Sequence, residues 1–174
     1  MITYSPKKIY IIGSNPNDFF DLTIEAINIL SKSNLIIYSK KFDSQYSKFF
    51  KKSKKKIFFE EDLVQSKTML PKIIHNLFET YNPISHLIIG DSFLFFENRE
   101  ESYFQKKKIL VEKVLGIPEI ILWMNKKKLF LTNRNKNSSV SFFYPKTKYD
   151  CNKLLKIKKF EKLIIKVSVE SVLQ

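Results

Sequence analysis

Apolar and polar residues alternate along the first two thirds of the chain in blocks that predict strands and helices in turn. Five short apolar runs end in polar residues or glycine and predict β-strands. These runs lie at residues 8–12, 35–38, 57–59, 87–89 and 109–114. Because a helical pattern separates each run from the next, the sequence predicts an α/β fold whose first domain contains a five-stranded, mostly parallel sheet.

The helical segments are recognised by apolar residues that recur at spacings of three and four. The first of them carries Phe19, Leu22, Ala26, Ile27 and Leu30. Asp18 precedes this pattern and is the expected N-cap, because its carboxylate can accept from the first free N–H groups of a helix. Further helices are expected around residues 42–50, 69–78 and 99–107.

The last third of the chain is less regular. The pattern there predicts short helices around residues 117–124 and 150–156 and strands near 140–144 and 163–167. The elements after the polar stretch 126–137 are too few to close a core of their own. The sequence therefore predicts an N-terminal α/β domain at 1–137 and, at 138–174, a remnant of a second domain.

Composition adds a strong positive charge with two interpretations. The chain has 31 Lys plus Arg against 17 Asp plus Glu, a net charge of +14. An anionic partner such as nucleic acid, an acidic membrane or a polycarboxylate would explain the charge. Drift toward AT-rich codons also explains it, because Lys, Asn, Ile and Phe are abundant while Ala26 is the only alanine. The second interpretation is favoured, and it makes the lysine clusters at 51–56, 106–108 and 126–128 solvated surface.

Other residue types narrow the function classes. No apolar run reaches the about 18 residues that a bilayer crossing needs, so no membrane-spanning segment is expected. Cys151 is the only cysteine and cannot form an internal disulfide, which is consistent with a cytoplasmic protein. His75 and His86 have no second ligand at metal-binding spacing, so we expect both to be structural or exposed and expect no metal site.

All three glycines follow predicted strands. Gly13, Gly90 and Gly116 come directly or almost directly after apolar runs. Ligands of open parallel sheets bind beyond the carboxyl ends of the strands, where a backbone without a side chain allows close approach. Each glycine taken alone could also serve an ordinary tight turn. Their shared placement favours a ligand site at that edge.

Four segments resemble, in order, the motifs of the tetrapyrrole methylases, the family that includes uroporphyrinogen-III C-methyltransferase. They are IYIIGSNPNDFFDLT, GDSFLFFENREE, VEKVLGI with LFLTNR after it, and SSVSFFYP. The resemblance implies the family's two-domain α/β fold with a truncated second domain, S-adenosylmethionine as methyl donor, and an acidic tetrapyrrole as substrate in porphyrin or siroheme biosynthesis. It also implies a homodimer, and it favours neither a membrane nor a nucleic acid as partner.

The donor-binding positions that the resemblance carries over are Pro16, Ile89, Gly90, Asp91 and Leu94. Gly90 would let the backbone approach the donor, Asp91 would place a carboxylate near its cationic groups, and Leu94 would wall an apolar pocket. Two alternatives stay open: Asp91 as an Asx-type cap on the following loop, and Leu94 as ordinary core.

Other positions depart from the family pattern, so the sequence identifies no catalytic residue. Ser14, Asn15 and Asn17 stand where the first loop has glycines, and their side chains are expected to crowd that surface. Ser39 stands where the family has an aspartate implied in acid–base work, and FFEED at 58–62 lacks the family's lysine. The alternative function is therefore a degenerate, inactive member that acts as a binding or structural protein.

Overall fold

The computed structural model describes residues 6–64, 69–94 and 99–128, together with the backbone of two short strands at 141–143 and 163–165. Packing divides the chain into two compact units, Met1–Glu119 and Ile120–Gln174. The domain boundary that the sequence predicts after residue 137 stays a prediction.

The first unit alternates strands and helices as the sequence predicts. Its strands are β1 (Lys8–Ser14), β2 (Leu35–Tyr38), β3 (Lys56–Phe59), β4 (Ile84–Ile89) and β5 (Leu110–Val114). Its helices are α1 (Ile24–Lys32), α2 (Ser44–Lys52), α3 (Glu60–Leu63), α4 (Leu70–Leu77) and α5 (Arg99–Lys106), with a 3-10 turn at Phe19–Asp21.

The five strands form one sheet in the order β3-β2-β4-β1-β5, and every neighbouring pair is parallel. In the register, Ile12 of β1 lies opposite Leu87 of β4 on one side and Val114 of β5 on the other. Since all strands run the same way, their carboxyl ends share one edge. The predicted parallel α/β sheet is confirmed.

Both faces of the sheet are covered by helices, which explains why its strands are almost continuously apolar. On one face, α1 and α2 pack through aromatic and aliphatic side chains that include Leu30, Tyr46 and Phe50. On the other face, α4 and α5 contribute Ile74 and Phe104. Alternate strand residues supply each core, because successive side chains of a strand point to opposite faces.

Two local predictions are corrected. Asp18 does not cap α1: its carboxylate accepts from Phe20 N and begins the 3-10 turn, while Thr23 caps α1 by accepting from Ala26 N at 3.1 Å. Strand β4 begins at Ile84, three residues before the predicted start, although it contains Ser85 and His86. Both polar side chains are buried and hydrogen-bonded, so their polarity does not end the strand.

In the second unit the structure describes α6 (Glu119–Lys126) and the strands β6 (Ser141–Phe143) and β7 (Leu163–Ile165), which pair in parallel. The predicted strands near 140–144 and 163–167 are thereby confirmed. The predicted helix at 150–156 lies outside the described residues. Within the described parts of the chain, no helix is long and apolar enough to cross a membrane.

Candidate functional site

The three glycines meet at the carboxyl edge of the sheet. Ser14 at the end of β1 accepts a hydrogen bond from Gly90 N at 2.7 Å, which joins the loops after β1 and β4. A Cβ atom on Gly13 would lie 2.6 Å from Gly90 O and 2.7 Å from Gly116 N. The backbones of three loops thus touch where no side chain fits, and we call this contact the glycine junction.

Gly90 is the open side of the glycine junction. Its φ is +90°, a conformation that favours glycine, and a Cβ there would meet no atom within 4 Å. Large apolar side chains near it are exposed: Ile89 by 40%, Phe93 by 60% and Leu115 by 54%. An accessible backbone beside exposed apolar side chains is the kind of surface that a partly apolar ligand can cover.

Asp91 holds the junction together through its carboxylate. Oδ1 accepts from Phe93 N at 2.9 Å and from Leu94 N at 2.8 Å, and Oδ2 accepts from Gly116 N at 2.9 Å. The Asx-type cap left open by the sequence is therefore present, and it reaches across to the loop after β5. A role for Asp91 toward a methyl donor stays a prediction, as does one for the half-buried Leu94.

Hydrogen bonds to buried groups hold the loop after β1 in place. Pro16 is buried and its carbonyl accepts from Asp43 N at 2.7 Å, while the Tyr46 hydroxyl donates to Asn15 O at 2.6 Å. Asn15 is itself buried and donates to Asp21 at 2.5 Å. Ser14 is also buried and donates to Ile88 O. The prediction that side chains crowd this surface is therefore wrong for Ser14 and Asn15, which point into the protein. Asn17 is exposed.

Of the five predicted donor-binding residues, Ile89, Gly90, Asp91 and Leu94 lie together in and after the end of β4. Pro16 lies on the neighbouring loop, two residues past the Ser14–Gly90 contact. The structure therefore places all five near the carboxyl ends of β1 and β4.

A carboxylate and a lysine also lie at this edge, each just after a strand where the resemblance did not lead us to expect it. Glu61, just after β3, accepts from Ser39 Oγ at 2.5 Å and from Lys40 N at 2.8 Å. Burial by itself raises the pKa of Glu61, but these two donors and the Lys40 charge outweigh it and lower the pKa. Lys40, just after β2, pairs with Asp62 and lies over the Phe59 ring.

The resemblance expects a carboxylate after β2 and a lysine after β3, whereas this chain has Lys40 after β2 and Glu61 after β3. Ser39 lacks the carboxylate, but Glu61 brings one to it. In the sequence, Glu60, Glu61 and Asp62 directly follow an apolar run. Their place at the carboxyl end of a predicted strand marks Glu61 as a candidate site residue.

His86 forms a buried cluster behind the edge that the sequence did not reveal. Its Nδ1 lies 2.9 Å from Glu100 of α5, and its Nε2 lies 3.0 Å from Glu60 of α3. Burial lowers the pKa of His86, but the charge and hydrogen bond of Glu100 and then those of Glu60 outweigh it and raise the pKa to about 10. His86 is therefore a charged histidine that ties two helices to the middle of the sheet.

Cys151 and the segment LFLTNR at 129–134 lie outside the described residues. Within the described parts of the chain, no group of three or more His, Cys, Asp or Glu side chains is arranged to hold a metal ion.

Comparison with known proteins finds similarity at the level of structure. No family model and no curated protein sequence matches the chain. A cobalt precorrin-4 methyltransferase matches with a TM-score of 0.63 and 18% identity, over 78% of this chain and 56% of that one. Uroporphyrin-III C-methyltransferase from Thermus thermophilus matches with a TM-score of 0.65 and 16% identity, over 79% and 60%.

Two further structures extend the comparison. The same Thermus thermophilus enzyme complexed with S-adenosylhomocysteine matches with a TM-score of 0.64, 17% identity, and 79% and 58% coverage. A diphthine synthase from Entamoeba histolytica, described as putative, matches over 94% of this chain and 64% of its own with a TM-score of 0.57 and 13% identity. The chain thus spans less than two thirds of these structures. Its fold is that of the tetrapyrrole methylases.

Proposed function

We propose that the chain is an S-adenosylmethionine-dependent C-methyltransferase that acts on uroporphyrinogen III or a related tetrapyrrole. The glycine junction supports this most directly, because it offers an open backbone at Gly90 next to exposed apolar side chains at the carboxyl edge. The donor's thioether and adenosine parts would lie against Ile89 and Leu94. The fold is shared with a methyltransferase whose structure holds S-adenosylhomocysteine.

The reaction needs alignment more than it needs reactive side chains. A nucleophilic ring carbon forms a bond to the donor's methyl group, and the sulfur–methyl bond breaks with its electron pair left on sulfur. Holding the two atoms about 3 to 3.5 Å apart and in line supplies much of the acceleration. In uroporphyrinogen the attacking ring carbon already carries a side chain and no hydrogen, so the cation that forms loses a proton from a neighbouring position, and that proton needs an acceptor.

Glu61 is the proposed proton acceptor, and Lys40 is the proposed cation beside it. Glu61 is ionised at neutral pH and can accept the proton, although its lowered pKa makes it a weaker base than an ordinary glutamate. Lys41, exposed on the same loop, could meet a carboxylate of an acidic tetrapyrrole. A homodimer would cover part of the apolar surface around Phe93 and Leu115, and we retain it as part of the proposal.

The second candidate is an inactive member of the same fold that binds without methylating. The observation that favours it is the departure at Ser39, which stands where the resemblance expects an aspartate. Asp91 also has both carboxylate oxygens engaged by backbone N–H groups, so its charge is already partly satisfied.

A methyl-transfer assay with labelled S-adenosylmethionine and uroporphyrinogen III separates the two candidates. The wild-type protein is expected to transfer label, and Glu61→Gln to lower the rate by about 100-fold or more, because general-base catalysis contributes at least that much. Glu79→Gln is the matched control: this exposed carboxylate pairs with Lys7 at the opposite edge, and its loss should leave the rate unchanged. No transfer by folded protein would favour the inactive candidate, and an unchanged Glu61→Gln rate would contradict the role of Glu61.

A further inference from the structure

The amino edge of the sheet, opposite the glycine junction, carries a surface rich in lysine. The helix-to-strand turns lie at this edge, and six exposed lysines on these turns or in the last helical turn before them form no ion pair among the described residues. We call this surface the lysine face, and it comprises Lys32, Lys51, Lys52, Lys54, Lys107 and Lys108. The turns also hold a carboxylate at Glu79, which Lys7 engages at 2.6 Å.

Charge in the first unit is unevenly distributed between the two edges. Carboxylates gather at the carboxyl edge, as with Asp18, Asp43, Glu61, Asp91 and Glu101, where Lys40 and Lys41 also lie. The turns of the lysine face hold a carboxylate at Glu79 against six exposed lysines. Codon drift alone would scatter lysines over exposed positions at both edges, so this excess calls for a cause besides composition.

Backbone geometry in two turns gives an independent reason. Lys54 and Lys108 have φ of 54° and 58°, directly after the ends of α2 and α5. Glycine or asparagine normally occupies this left-handed position, because other side chains are strained there. AT-rich codons encode asparagine as readily as lysine, so drift would supply the better residue. Lysine stands in both turns despite the backbone cost.

Helix dipoles account for only part of this charge. A cation in the last turn of a helix stabilises it, and Lys32 and Lys51 do so at the ends of α1 and α2. The α2–β3 turn nevertheless carries Lys51, Lys52, Lys54, Lys55 and Lys56 within six residues. Such a run repels itself, and a bound anion would relieve that repulsion.

The dimensions of the lysine face indicate a polymer rather than a small anion. Strands β3 and β5, which follow the two lysine-rich turns, are the outer strands of the sheet. Four strand spacings separate them, which is about 19 Å. A single phosphate or carboxylate group cannot span this distance, whereas the regularly spaced phosphates of a nucleic acid can.

We propose that the lysine face binds the phosphate backbone of a nucleic acid without reading its sequence. A membrane would need an apolar anchor beside the lysines, because electrostatic attraction alone gives weak attachment. The exposed apolar side chains Phe20, Ile24, Ile89 and Phe93 belong to the opposite edge, and in the described part of the chain Leu110 is the one large exposed apolar side chain at this edge. Large exposed aromatic side chains for base stacking are also lacking among the described residues of the lysine face.

Fluorescence anisotropy with labelled RNA and DNA duplexes of about 20 base pairs, titrated with the full chain across a salt series, tests the proposal. Two variants remove charge from the face while keeping turn geometry: Lys52→Gln with Lys54→Asn, and Lys107→Gln with Lys108→Asn. The control, Lys41→Gln with Lys72→Gln, removes the same charge from exposed lysines elsewhere.

Each face variant is expected to bind at least about tenfold more weakly at 0.1 M salt and to reduce the slope of log K against log salt by about 1.8. The control should keep most of the affinity and lose less slope. Absence of binding at about 50 mM salt, or equal weakening in the control, would overturn the proposal. Binding to phosphatidylserine vesicles without binding to either duplex would overturn it in favour of a membrane.

Discussion

Replacing His86 with leucine is expected to lower the free energy of unfolding by about 3–5 kcal/mol, because it leaves two carboxylates in the interior without their cation. His86 and Glu100 are buried and Glu60 is half-buried, so water replaces the imidazolium poorly, least of all at Glu100. Urea unfolding followed by circular dichroism at pH 7 measures the loss.

The matched control for this substitution is His75→Leu on α4. His75 is half-buried and its ring packs edge-on against Tyr103, with no hydrogen bond to a carboxylate among the described residues. We expect the control to change stability by less than about 1 kcal/mol. Adding Glu100→Gln to His86→Leu should restore part of the loss, because it removes one of the two orphaned charges. Equal losses in the two histidine variants would contradict the assignment.

The pH dependence of stability gives the same cluster a second signature. The folded pKa of His86, about 10, lies above its ordinary value of 6.5, so folding favours the protonated form. Its contribution is fully present below about pH 6.5 and is lost as pH rises through about 10. Unfolding midpoints of the wild type should fall across this window, and the His86→Leu variant should lack that part of the slope.

Gly116→Ala is expected to destabilise the protein by about 3 kcal/mol or more, since overpacking against rigid backbone has no cheap relief. The added Cβ would lie 2.4 Å from Gly13 C and 2.4 Å from Gly90 O, which are both main-chain atoms. The loops after β1, β4 and β5 would have to separate, which also breaks the contact of Gly116 N with Asp91. Thermal and urea unfolding measure the change.

Gly90→Ala is the control for the glycine junction. Its Cβ meets open space, so the cost comes only from the positive φ and should be about 1–2 kcal/mol. A larger loss in Gly90→Ala than in Gly116→Ala would contradict the close packing of the three loops.

The fold follows from the sequence because its signals are local. Apolar runs such as residues 35–38 and the helical spacing of Leu22, Ala26 and Leu30 set the type and order of the elements without any distant contact. The start of α1 was misplaced because Asp18 and Thr23 are both good capping residues five positions apart. Which of them caps the helix depends on how the intervening 3-10 turn packs, and that is a tertiary effect.

The sequence predicts which site residues follow the strands, but not which side chains they contact. The position of Gly90 and Asp91 after β4 follows from the order of the strands. The partners of Glu61 and His86 do not, because Ser39 lies 22 residues from Glu61, and Glu60 lies 26 residues from His86. A pairing across such a separation is fixed by the sheet order, in which β2 lies between β3 and β4. The periodicity of apolar residues within one segment therefore cannot predict this pairing.

Titration calorimetry with S-adenosylhomocysteine tests the central claim, that the glycine junction binds a methyl donor. The wild type is expected to bind in the micromolar range, and Ile89→Ser to bind about tenfold more weakly because it removes apolar contact next to Gly90. Leu110→Ser, an equal change at the opposite edge, should bind as the wild type does. No heat from folded wild-type protein at millimolar ligand, or equal weakening by both substitutions, would contradict the claim.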